Sequence, residues 1–186
     1  MRHSPFRLLA ARFVFRFGSL FTFVFMFGCG GSAPAPQPEP APAAPAAQPS
    51  EWVVSDAGVG PIAIGMRAGD LQGVVEPLGT LGECVYAKPL ERPELLVMLV
   101  NGVVARVDVI GPSIATAAGA HVGDSEARIA ELYPAARTEP HKYTEGKYLV
   151  IDAAAGRRLV FETDGMKVTR YRSGSVPQVD WVEGCS

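Results

Sequence analysis

Asn101-Gly102 lies between two runs of large and β-branched apolar residues and constrains this chain more than any other dipeptide. A type I′ turn needs positive φ at both central residues, which Asn-Gly adopts at little cost. The runs 95–100 (LLVMLV) and 103–110 (VVARVDVI) therefore read as one antiparallel hairpin. The same pattern recurs at 158–163, Asp164-Gly165 and 166–172, with the same turn chemistry expected.

The repetition extends upstream of each hairpin. In the first copy a Gly58-Val59-Gly60-Pro61 turn precedes a short extended piece over 62–64. Leu71, Val74, Val75 and Leu78 then fall at i, i+3, i+4, i+7, which predicts one helix face that Gly69 and Gly73 weaken. Residues 84–87 read as a strand. In the second copy Asp124 is the expected N-cap of a helix carrying Ile129, Leu132 and Tyr133 and ended by Pro134. A strand over 148–152 follows. Gly65 and Gly123 are 58 residues apart, Gly102 and Gly165 63. The pattern predicts an α+β domain over 51–186. Two tandem helix–strand–β-hairpin modules (about 56–112 and 117–175) would form one antiparallel sheet with helices on one face. A closing strand within 176–186, over 179–183, would carry Cys185 to Cys84.

What precedes residue 51 cannot build that core. Residues 1–16 carry Arg2, Arg7, Arg12 and Arg16 and no acid, and residues 17–28 are apolar. Twelve residues fall short of the roughly 20 needed to cross a bilayer, so 1–28 reads as an export signal. Met26-Phe27-Gly28-Cys29 resembles a bacterial lipobox, although Phe27 stands where a small residue is usual. The resemblance implies a lipoprotein acylated on Cys29 and held by the lipid bilayer; ordinary signal cleavage and an uncleaved anchor are the alternatives. Without Asp after Cys29, the resemblance implies the outer membrane of the bacterial cell envelope, facing the periplasm. Residues 32–50 hold seven of the chain's 16 prolines. Such a stretch favours polyproline II and spans up to roughly 50 Å as a tether, with residues 29–50 joining lipid to domain.

Removing the four leader arginines leaves 13 basic against 19 acidic residues, a balance of −6. That argues against nucleic acid as a partner. Cys84 and Cys185 are the remaining cysteines, and in an oxidising compartment they are expected to pair. The alternative is two reduced, buried thiols.

A two-residue turn would place Val100 opposite Val103, Met98 opposite Ala105 and Leu96 opposite Val107, on the face assigned to the helices. The other face would hold Leu99 with Val104, Val97 with Arg106 and Leu95 with Asp108. In the second hairpin it would hold Glu162 with Lys167, Val160 with Thr169 and Arg158 with Tyr171. Val97, Leu99 and Val104 thus form an apolar patch that is either a contact surface or covered by the loop over 87–93 or the chain ends. With Arg158 and Tyr171 they make the candidate binding surface, and an envelope protein is the favoured partner. Tyr143, Tyr148, Tyr171 and Trp181 near Arg158 and Arg170 motivate the alternative, a carbohydrate or peptidoglycan ligand.

No catalytic motif rises above background. Gly123-Asp124-Ser125 lacks the Leu and the late Asp-x-x-His of an esterase, and reads as a helix cap. His121 and His141 have no metal-ligand companions, so no metal or cofactor is expected. There is no Gly-x-Ser-x-Gly and no phosphate-binding loop. The expectation is a non-enzymatic binding domain.

The arrangement resembles the tandem modules of beta-lactamase-inhibitor-like proteins and small outer-membrane assembly lipoproteins. It is also similar to uncharacterised bacterial exported proteins with Gly58-Val59-Gly60-Pro61, Gly65-Met66, Gly123-Asp124-Ser125, Pro140-His141-Lys142-Tyr143 and Glu183-Gly184-Cys185 patterns. This resemblance implies fold and compartment, and no activity.

Overall fold

Asn101 and Gly102 take φ of 50° and 73° in a computed structural model that describes residues 51–80 and 82–185. Their turn joins β6 (Leu95–Val100) to β7 (Val103–Val109). The two strands sit inside an eight-stranded antiparallel sheet. From one edge it runs β4 (Val75–Pro77), β5 (Cys84–Pro89), β6, β7, β12 (Val168–Ser175), β11 (Arg157–Thr163), β10 (Lys147–Asp152) and β9 (Arg137–Pro140). A four-stranded sheet is ordered β3 (Ile62–Ala63), β2 (Gly58–Val59), β1 (Val53–Ser55), β8 (Ala115–Thr116), with β1 and β8 parallel.

The two copies are hydrogen-bonded alike. Gly65 N–H donates to the Val104 carbonyl and Gly123 N–H to that of Val168. Val104 N–H returns to the Met66 carbonyl, and Val168 N–H to that of Asp124. Both glycines sit at positive φ, 93° and 98°, which this crossing requires. The copies meet at the β7–β12 seam, where Arg172 opposes Asp108 and Gly174 opposes Arg106. A Cβ on Gly174 would lie 2.5 Å from the Ala105 carbonyl oxygen, so only glycine lets the strands approach there.

The α+β expectation, with helices covering one face, is overturned. Among the described residues there is a single α-helix, α1 (Glu126–Leu132), and the fold is mostly β. In the first copy the expected helix is a 3-10 turn, Ala68–Leu71, followed by β4. Gly73 at φ 77° breaks the helical path, and Val75–Pro77 continues as an edge strand beside β5. Leu71 still reaches the core, whereas Leu78 is exposed. The cap of α1 is Ser125, whose Oγ accepts the Arg128 N–H at 3.1 Å. Asp124 instead accepts the His121 N–H. The expected strand over 179–183 is absent; a 3-10 turn, Gln178–Asp180, stands there. The second hairpin also departs from a two-residue turn. Thr163 pairs with Val168, and the Asp164 carboxylate caps the loop by accepting the Met166 and Lys167 N–H groups.

A bulge in each hairpin reverses half of the face assignment. Val100–Val103 and Leu99–Val104 pair as expected, but Ala105 is then skipped and Met98 pairs with Arg106. A one-residue slip sends every later side chain to the opposite face. Val107 and Val109 join Leu95, Val97, Leu99 and Val104 on the side facing the small sheet and α1. Thr169 is skipped likewise, and Tyr171 pairs with Phe161. The main core lies on this face and includes Val54, Val59, Ile62, Leu71, Ile129, Phe161 and Tyr171.

Candidate functional site

The bulges put Arg106 and Asp108 of β7, and Arg170 and Arg172 of β12, on the second face of the large sheet, with Glu162 of β11. The tandem geometry fills matching positions there. Across three strands Tyr86, Met98 and Arg106 line up in the first copy, and Tyr148, Glu162 and Arg170 in the second. Such a row of charges would ordinarily face water. Here Arg106, Arg172, Glu162 and Asp108 are buried, because residues 176–185 cross over them.

This strap is held through its carbonyls. Arg106 Nη1 donates to the Trp181 carbonyl at 2.7 Å and the Gln178 carbonyl at 3.0 Å. Arg172 Nε donates to the Val179 carbonyl at 2.6 Å. Val179 is fully buried and packs with Tyr148, Val150 and Val160 in a small second cluster. Arg158 bridges Asp152 and Asp180, and Glu183 receives Lys142 and the Tyr143 hydroxyl. Cys185 is bonded to Cys84 of β5, with a Cα–Cα distance of 5.3 Å.

The charges under the strap are paired. Arg106 Nε lies 2.9 Å from Asp108, and its Nη2 donates to the Tyr86 hydroxyl. Glu162 takes Arg170 at 2.8 Å, Arg172 at 3.1 Å and His141 Nε2 at 3.0 Å. His141 Nδ1 accepts the Tyr143 and Thr144 N–H groups, so Nε2 carries the proton it shares with Glu162. Burial pushes the Glu162 carboxyl up, but the Arg170 and His141 hydrogen bonds and the two guanidinium charges outweigh it and hold the group at about 2. Asp108 goes the other way: burial raises its pKa against the opposing pull of Arg106. Burial also lowers that of Arg172. The Tyr148 hydroxyl is buried and has no hydrogen-bond partner among the described residues.

A groove of about 930 Å³ runs beside the strap, lined by Glu83, Cys84, Lys142 and residues 180–185. Trp181 is partly exposed in it, and Tyr143 stands exposed where its hydroxyl meets Glu183. The apolar candidate surface is a different matter. Val97, Leu99 and Val104 are interior, at most 1% exposed, as is Tyr171, whose hydroxyl donates to the Ile114 carbonyl. The small sheet and α1 cover this face, and the bulge that turns Arg106 and Asp108 to the other one leaves it apolar. Arg158 lies on the second face, opposite the Val97, Leu99, Val104 and Tyr171 with which the sequence grouped it, and is tied to Asp152 and Asp180. Among the tyrosines named for a glycan ligand, Tyr143 is exposed whereas Tyr148 is buried under the strap. Cys29 lies outside the described residues. Among the described residues there is no grouping of His, Cys, Asp and Glu suited to a metal ion, and no helix long and apolar enough to cross a membrane. The buried network escaped the sequence reading. Its signal was charge at alternate positions in apolar strands, Arg106 with Asp108 and Arg170 with Arg172.

No family model matches this chain, and no curated protein does. Two solved structures are similar in part. An extracellular protein with an SCP domain from Bacillus anthracis superposes at a TM-score of 0.43 with 9% identity over 61% of this chain. The chain spans 44% of that protein's length. The uncharacterized protein YfeY of Escherichia coli gives a TM-score of 0.39 and 10% identity over 68% of this chain and 96% of its own. Likenesses this distant assign neither a family nor an activity.

Proposed function

We propose that this protein is a lipid-anchored, non-enzymatic binding module of the bacterial envelope whose ligand is a cell-wall glycan, taken up in the groove beside the strap. One observation carries the reading: an open groove is lined by the partly exposed indole of Trp181 with Lys142, Asp180 and Glu183, and the exposed phenol ring of Tyr143 bonds to Glu183 of that lining. Aromatic faces cover the apolar side of a sugar ring while carboxylates and an ammonium bond its hydroxyls, the usual mix of a small-ligand site. The buried charges beside it suit a fixed scaffold better than proton transfer, since Glu162 stays ionised and paired. Acylated Cys29 and the proline-rich tether would present the groove to the wall from the periplasmic leaflet of the outer membrane. An envelope protein partner loses its motive, because the apolar patch that suggested it is core.

Sedimentation of the full chain with purified cell-wall sacculi tests this. The wild type should pellet with the sacculi, and Trp181→Ala should weaken retention at least tenfold with the fold intact. A wild-type protein that stays in the supernatant refutes it.

A further inference from the structure

We propose that the second face of the large sheet is a docking surface for an extended peptide, occupied here in cis by residues 176–185, and that the Cys84–Cys185 disulfide is the latch that keeps it so. Unlike β1–β12, the strap contributes no strand to either sheet among the described residues. Its links to the face are of the kind a separate peptide makes. Arg106 and Arg172 grip the carbonyls of Gln178, Val179 and Trp181, one side chain (Val179) fills an apolar socket, and Asp180 and Glu183 meet Arg158 and Lys142. Carbonyl contacts are indifferent to sequence; with the socket and the two cations, the chemistry selected is a backbone carrying a small apolar residue followed by acids.

Two observations set this cover apart from a permanent wall. It buries four charged side chains and leaves the Tyr148 hydroxyl without a partner, where the main core face buries mostly apolar residues. Lifting the strap returns these groups to water, which offsets part of what release costs. The groove also opens on the latch itself, with both cysteines in its lining and Lys142 beside them. A dithiol can therefore reach the bridge. One of its thiolates attacks a sulfur, forms a mixed disulfide and releases the first cysteine thiolate. Its second thiol then closes the oxidised ring and releases the other cysteine. Two electrons and two protons pass from dithiol to protein. Lys142 is placed to favour a thiolate at the site.

The test uses the full chain and a synthetic peptide of residues 176–183. A Cys84→Ser/Cys185→Ser/Val179→Asp chain lacks both the latch and the socket residue. It should bind the fluorescent peptide at least tenfold more tightly than the oxidised wild type, and an Asp at the Val179 position of the peptide should abolish binding. In parallel, dithiothreitol without denaturant should speed hydrogen exchange of the strap amides at least tenfold, leave β10–β12 protected, and reverse on reoxidation. Equal peptide binding by both chains, unchanged strap protection after reduction, or loss of protection throughout the sheet would each overturn the proposal. None of these readouts involves glycan, so this inference and the glycan reading fail separately.

Discussion

The two faces of the eight-stranded sheet are built by the same strands and covered by opposite means. One is sealed by the small sheet and α1 over Val97, Leu99, Phe161 and their neighbours, where burial of apolar area supplies the adhesion. The other is sealed by residues 176–185 over arginines and carboxylates, where adhesion comes from ion pairs, three carbonyl bonds and one disulfide. Removing apolar surface from water favours closure without directional partners. Removing charge from water does so only while every partner stays in place. The first face should therefore tolerate little change in volume, and the second little change in charge.

Substitution breaks this comparison in a definite order. Val97→Asp puts an unpaired carboxylate into the apolar core, so a loss of more than about 4 kcal/mol in denaturant titration is expected; a mild effect would mean the face is open. Gly174→Val forces a side chain against Ala105 and Arg106 at the seam between copies. Its cost should be about 3 kcal/mol, within the range for overpacking, with hydrogen exchange rising first across β7 and β12.

Glu162→Gln sharpens the comparison on the polar face. The wild-type carboxyl sits at about 2 in the folded protein against an ordinary 4.5. Its contribution is therefore complete above the unfolded value and disappears as pH falls toward the folded one. The wild type should exceed the variant by about 3 kcal/mol at pH 7, and the gap should close between pH 4.5 and 2. Asp108 has the opposite sign, because burial raises its pKa and acid relieves it, but it is common to both chains and cancels in the difference. A gap that persists at pH 2 would show that shape rather than charge is being measured. The smallest effect belongs to the helix: Ser125→Ala should cost about 1 kcal/mol through the lost cap to Arg128, seen as a small shift in thermal midpoint.

The sequence made some of this legible and concealed the rest for identifiable reasons. Asn-Gly announced the first hairpin because few residues take its φ values. The pairing of Cys84 with Cys185 followed from their being the only cysteines within residues 51–186. The faces were misread because nothing local marks a bulge at Ala105 or Thr169. Leu96, Val97, Met98 and Leu99 are apolar on both sides of the strand, so alternation could not expose the slip. Arg106 and Asp108 could have done so, since two charges two residues apart inside a core strand demand partners on their own side. The helical spacing of Leu71, Val74, Val75 and Leu78 misled because Gly73 was treated as a weakness in a helix, whereas it ends one. The tyrosines were grouped by residue type, although strand alternation sends Tyr171 and Arg170 to opposite faces and the bulge at Thr169 decides which of the two is core.

The disulfide also constrains how the molecule can be made. Its cysteines are 101 positions apart. As the chain emerges in order, Cys84 must remain unpaired through all of β6 to β12 before Cys185 appears. The first hairpin and its core face can assemble in that interval, whereas the polar face stays uncovered until the last segment arrives. Closing the ring is then a late oxidation of a nearly finished fold, and an oxidant that acts early can join Cys84 only to a thiol other than that of Cys185.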